Sequence, residues 1–162
     1  MKLTYTLSPN KAPKNVWVVS LEWMSGDADH SEYLEYEFET EEKCIAFVTE
    51  VNRILDFTND YWNLVCWLES NGHLEESEFI ERELRYINVG DRDKKRNELR
   101  ELWKIVKTLI GDKPTWRDYL ESVVGEVPYD VTTDGDSHAK LRSINSIVKY
   151  DENGTKFDAK VS

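Results

Sequence analysis

No apolar run in this 162-residue chain exceeds a few residues, so no segment offers the length needed to span a bilayer. The opening stretch, MKLTYTLSPNKAPK, lacks the apolar core and small-residue cleavage site of a secretory signal. A cytoplasmic location without membrane contact is expected. Cysteine is scarce as well. Cys44 and Cys66 both stand among apolar neighbours, and two thiols at that separation make no zinc signature. A reducing cytosol opposes a disulfide, so both read as small core hydrophobes. Catalytic signatures are missing too: the chain has no GxSxG, P-loop, GxGxxG or HExxH pattern. Its three histidines, His30, His73 and His138, lie far apart in polar, turn-like stretches, where surface histidines are commonplace. The expectation is a protein that is not an enzyme and carries no cofactor.

Basic residues are nearly absent from one region. Between residues 21 and 83 the chain holds 18 Asp and Glu against only Lys43, Arg53 and Arg82. The whole chain has a formal charge of −11, so this middle part carries more than the entire net charge. The rest is slightly basic, with Lys94, Lys95, Arg96, Arg100, Lys104 and Lys107 on one predicted helix. Hydrophobic residues make up 40% and aromatics 12%, which excludes a disordered chain and supplies a core. The length suits one domain, residues 1–162.

Strand-like segments open the first half of the chain. In NVWVVSLEWM, Trp17, Val19, Leu21 and Trp23 share one face, the pattern of a half-buried strand. In EYLEYEFET, Leu34, Tyr36 and Phe38 alternate with Glu35, Glu37 and Glu39. The two are expected to pair as a hairpin, with Met1–Leu7 as a candidate neighbour. Thr40 reads as the cap of a helix bearing Cys44, Phe47, Val48, Val51, Ile54 and Leu55. NDYWNLVCWLESNG fits a buried helix or strand, and its closing SNG favours the helix. LEESEFIERELRYINVG predicts a helix buried through Phe79, Ile80, Glu83, Leu84 and Ile87. The next, on Leu99, Leu102, Trp103, Val106, Leu109 and Ile110, stops at Gly111. Thr115 with Asp118 caps a last helix on Trp116, Tyr119, Leu120 and Val123, closed by Pro128. Asn153–Gly154 then marks a C-terminal hairpin. The fold class is α+β: an antiparallel sheet from N-terminal strands and a C-terminal hairpin, packed against a central group of about four or five helices.

Two acidic loops bear on metal binding. GDADH supplies Asp27, Asp29 and His30; DVTTDGDSH supplies Asp130, Asp134, Asp136 and His138. Hard cations want clustered carboxylates. With Gly135 set as the glycine of an EF-hand loop, Thr132 falls at the third position and Leu141 where the bidentate glutamate belongs. Asp, Gly, Ser and Thr are also plain turn chemistry, and no metal site is assigned.

The densest acid lies in SEYLEYEFETEE, six glutamates in twelve positions. Alternate strand residues project about 6.7 Å apart. Every second phosphate of one DNA strand is spaced at roughly the same step. The candidate partner-binding residues are therefore Asp27, Asp29, Glu32, Tyr33, Glu35, Tyr36, Glu37, Glu39, Glu41 and Glu42. Such a band suits a basic, nucleic-acid-binding protein and repels nucleic acid itself. Trp23 and Trp62 are further candidate anchors. In size and charge the chain resembles the broad class of small acidic inhibitors, phage anti-defence and immunity proteins among them, though no motif carries that resemblance. Two other functions fit the same residues: a small metal- or nucleotide-dependent enzyme using the His/Asp loops, and an adaptor, possible as a homo-oligomer, that assembles through its acidic and basic faces. A solvated face that discourages aggregation also accounts for the glutamates.

Overall fold

The computed structural model describes residues 15–27, 29–71, 75–130, 132 and 138–161. These residues form an α+β fold with five α-helices and a four-stranded antiparallel sheet. The candidate strand Met1–Leu7, together with His73, Asp134 and Asp136, lies outside the described residues. The chain divides into two compact units, residues 1–56 with 127–162, and residues 57–126.

The first unit holds the sheet. Its strands are β1 (Val16–Met24), β2 (Ser31–Phe38), β3 (Lys140–Tyr150) and β4 (Lys156–Ala159), in the order β2-β1-β3-β4. The hairpin register sets Trp17 opposite Phe38, Val19 opposite Tyr36 and Leu21 opposite Leu34. Val19, Leu21 and Trp23 are fully buried on that face, where Phe47 of helix α1 (Glu41–Asp60) stacks on Tyr36 and Phe38, ring centroids 5.2 and 4.8 Å away. Alternation predicts a half-buried β1, yet Val16, Val18 and Ser20 of the opposite face are buried as well. Beside them on that face, Val148 of β3, opposite Val18, is buried too. Two register shifts in the β1–β3 ladder, at Ser20/Leu21 and Glu22/Trp23, bend this pairing.

Local chemistry explains the ends of the elements. Thr40 Oγ1 accepts the Lys43 N–H at 3.2 Å, and Glu41 and Glu42 occupy the first turn of α1, near the positive end of its dipole. Cys44, Val48, Val51 and Ile54 form its buried stripe, and the boundary between the units falls after Asp56, inside α1. At the other end of the chain, Gly154 has φ 77° and donates its N–H to the Asp151 carbonyl. Asp151 in turn donates to the Thr155 carbonyl, which makes a three-residue hairpin loop with a glycine bulge.

The second unit is helical: α2 (Trp62–Asn71), α3 (Glu76–Leu84), a 3-10 turn (Val89–Asp91), α4 (Arg92–Ile110) and α5 (Trp116–Val124). The ambiguous NDYWNLVCWLESNG resolves as helix, burying Leu64, Val65 and Leu68. Trp67 meets Phe79 edge-on and Phe79 stacks on Trp103, at 5.1 and 5.5 Å; Phe57 stacks on Trp116, which meets Tyr119 at a tilt, at 5.4 and 5.6 Å. Four expectations need correction. Helix α3 ends at Leu84, so Ile87 lies outside it. Glu83 is exposed, because α3 buries only Phe79, Ile80 and Leu84. Helix α5 buries Val124 where Val123 was expected. That helix also stops at Val124, since Gly125 takes φ 79° three residues before Pro128. Among the described residues no helix is long and apolar enough to cross a membrane.

Candidate functional site

The acidic segment forms β2, an edge strand of the sheet. Its pairing with β1 puts Tyr33, Glu35 and Glu37 opposite Glu22, Ser20 and Val18. These side chains share the face turned away from Phe47, because those of Leu34, Tyr36 and Phe38 take the other. Glu32, Glu35, Glu37, Glu39, Glu41 and Glu42 are all exposed. Neither Ser20 nor Val18 offers a compensating charge. Seven Lys/Arg–carboxylate pairs occur among the described residues, and none includes a residue between 27 and 42. Asp27 and Asp29, also exposed, continue the band into the β1–β2 turn.

Of the aromatic candidates, Tyr33 is 54% exposed, on the same face as Glu35 and Glu37. Tyr36 is half-buried against Phe47. Its burial pushes the phenol above its ordinary value of 10.0; Trp23 opposes this and Glu32 adds to it. The Trp23 indole nitrogen and the Tyr36 hydroxyl are both buried. Trp23 is fully buried and cannot serve as an exposed anchor. Trp62 is 37% exposed, in the helical unit.

At the tip of the β1–β2 hairpin the two acidic loops meet. Asp130, buried, accepts the Gly26 N–H on Oδ2 at 2.7 Å. Its Oδ1 accepts the Thr132 hydroxyl at 2.6 Å and the Thr132 N–H at 2.9 Å. Those bonds, the Thr132 hydroxyl first, hold the carboxyl below its ordinary value of 3.8. A Cβ on Gly26 would stand 2.9 Å from Oδ2, so any larger residue would force the carboxylate or the turn to shift. Both Asp130 oxygens thus hold the protein's own N–H and O–H groups. Nearby, His30 Nδ1 lies 3.0 Å from Asp27 Oδ2, and this hydrogen bond is the main cause of the lowered Asp27 pKa. Among the described residues no three His, Cys, Asp or Glu side chains gather as a metal site.

The basic helix α4 is largely neutralised within its own unit. Arg96 pairs with Asp93 at 3.3 Å, Lys104 with Glu101 at 2.8 Å, Lys95 with Glu98 and Arg100 with Glu76, each at 3.8 Å. One cleft of 520 Å³ is lined by Glu75, Glu76, Glu81, Arg96 and Arg100, so charges of both signs face it. Another, of 530 Å³, is lined by Tyr61, Trp62, Leu64, Phe79, Leu99 and Leu102, with Asp60, Glu83 and Lys95. Sequence spacing signals neither cleft, since their walls come from separate helices. No protein-family model, curated protein or solved structure matches this chain.

Proposed function

We propose that this chain is a non-enzymatic acidic inhibitor or decoy that occupies the basic groove of a nuclease or another nucleic-acid-binding protein. The observation that carries the proposal is the unpaired acid along β2 and into α1, beside one exposed tyrosine. Among the described residues, seven acids elsewhere meet lysine or arginine within 4 Å, as Glu22 does with Arg142 at 3.3 Å, whereas none of the six glutamates of the band does. A row of like charges repels itself, so a cationic groove gains from it twice: it supplies attraction and relieves the repulsion. Strand geometry sets Glu35 and Glu37 about 6.7 Å apart, close to the step between alternate phosphates. Tyr33 adds a flat apolar contact with a polar tip, a residue type favoured at the centre of interfaces.

The proposal is tested by capture from a bacterial lysate on the immobilised chain, eluted with a salt gradient and read by mass spectrometry. One basic, nucleic-acid-handling protein released at moderate salt is the expected result. Duplex DNA should displace it. The triple variant Glu35→Lys, Glu37→Lys, Glu39→Lys should keep its circular dichroism and lose the partner, with an association rate lower by roughly 10 to 10³-fold. Equal capture by the triple variant, or recovery of the bait alone, sinks the proposal.

A further inference from the structure

The opposite edge of the sheet has a different chemistry. Strand β4 reads Lys156, Phe157, Asp158, Ala159, and its first three residues are exposed. Phe157 is 51% exposed. Lys156 and Asp158 belong to none of the ion pairs among the described residues.

The turn before β4 fixes which of its main-chain groups are open. Asp151 donates to the Thr155 carbonyl, so that pair is a hydrogen-bonded one. Bonded and non-bonded pairs alternate along an antiparallel ladder. Lys149–Phe157 and Ile147–Ala159 are then bonded pairs, while Tyr150–Lys156 and Val148–Asp158 are not. Lys156 and Asp158 therefore direct their N–H and C=O groups away from β3, towards an edge that pairs with no other strand among the described residues.

We infer that β4 pairs with β4 of a second copy of this chain, antiparallel, about a two-fold axis normal to the sheet. Open groups must face open groups, so even-numbered residues oppose even-numbered ones. Four registers centred on a residue of the strand obey that rule, and the one on Ala159 reaches past the strand's end to pair Asp158 with Lys160. Centring on Lys156 sets lysine against lysine, and centring on Asp158 sets aspartate against aspartate. Centring on Phe157 sets Lys156 against Asp158 of the second copy, and Asp158 against its Lys156. The two Phe157 rings then meet as the close, non-bonded pair on one face, with both ion pairs on the other. The strand is thus self-complementary, as a two-fold contact requires. Opposite charges and an aromatic pair are the side-chain pairings that stabilise adjacent strands. The same operation on β2 sets glutamates against glutamates or tyrosine, with no cation on either copy, which favours β4 as the shared edge and leaves the acidic edges free.

Sedimentation equilibrium of the full chain at about 0.15 M salt tests this. The wild type should show a mass rising with concentration towards two chains. Lys156→Glu and Asp158→Lys, each alone, replace two attractive pairs by two repulsive ones and should weaken dimerisation at least about tenfold. The double variant Lys156→Glu, Asp158→Lys exchanges the charges and should restore it. Both positions are exposed, so circular dichroism of every variant should match the wild type. A single-chain mass at all concentrations overturns the inference. So does a dimer unchanged in both single variants, or a double variant as weak as either one.

Discussion

A single carboxylate, Asp130, joins segments 104 positions apart by accepting the Gly26 N–H. Replacing Gly26 with Ala sets a methyl 2.9 Å from the Asp130 oxygen, closer than real Cβ atoms come. Urea denaturation of Gly26→Ala should show a loss of about 0.5–3 kcal/mol, the usual range for a destabilising substitution. The same carboxylate makes a pH prediction. Its folded pKa lies below the ordinary 3.8, so its stabilisation is complete above that value and is lost as pH falls through the folded one. Asp130→Asn should therefore flatten the acid limb of the stability curve while lowering stability at neutral pH. An acid limb of unchanged steepness contradicts that assignment. Cys44 behaves in the opposite sense: burial first, and Glu41 second, push its thiol up and keep it protonated, in accord with an inert core thiol.

Helix caps are the clearest test at the scale of elements. Thr115 Oγ1 accepts the Asp118 N–H at 3.0 Å, and Thr115→Ala should cost about 1 kcal/mol by thermal or urea unfolding. A loss within error would mean that water satisfies that N–H equally well. Both caps, at Thr40 and Thr115, are legible in the sequence because a hydroxyl followed by acids in the first turn acts locally. The β1–β2 hairpin and the buried stripe of α4 are legible for the same reason, since period and register need no distant partner. What the sequence hides is what depends on distant neighbours. Ser20 is buried opposite Ser146, a residue of β3 more than 100 positions away, and alternation counts only one face. The end of α5 is set by the positive φ of Gly125, a stronger stop than the proline that follows. In the candidate site, the glutamates of β2 face outward as their alternation implies. That Tyr33 is open while Trp23 is closed follows from which face each takes, combined with which face α1 covers.

For the whole molecule, a formal charge of −11 concentrated in one region makes stability sensitive to salt. Raising ionic strength from about 0.02 to 0.3 M shortens the Debye length several-fold and should raise the melting temperature of the wild type by a few degrees. Glu35→Lys, Glu37→Lys, Glu39→Lys should lose most of that increment, and a salt response identical to wild type would show that these charges do not govern it. Finally, the order of the strands bears on how the chain is made. β1 pairs β2 a few residues on, but its other edge waits for β3, which begins at Lys140. Roughly 100 residues leave the ribosome between β2 and β3, about 5–20 s of synthesis. Residues 57–126, whose described elements are all helices, are complete before β3 emerges. During that interval the nascent hairpin exposes an unpaired edge of β1 rich in valine and tryptophan, the point at which a growing chain most needs a chaperone or a fast-closing partner strand.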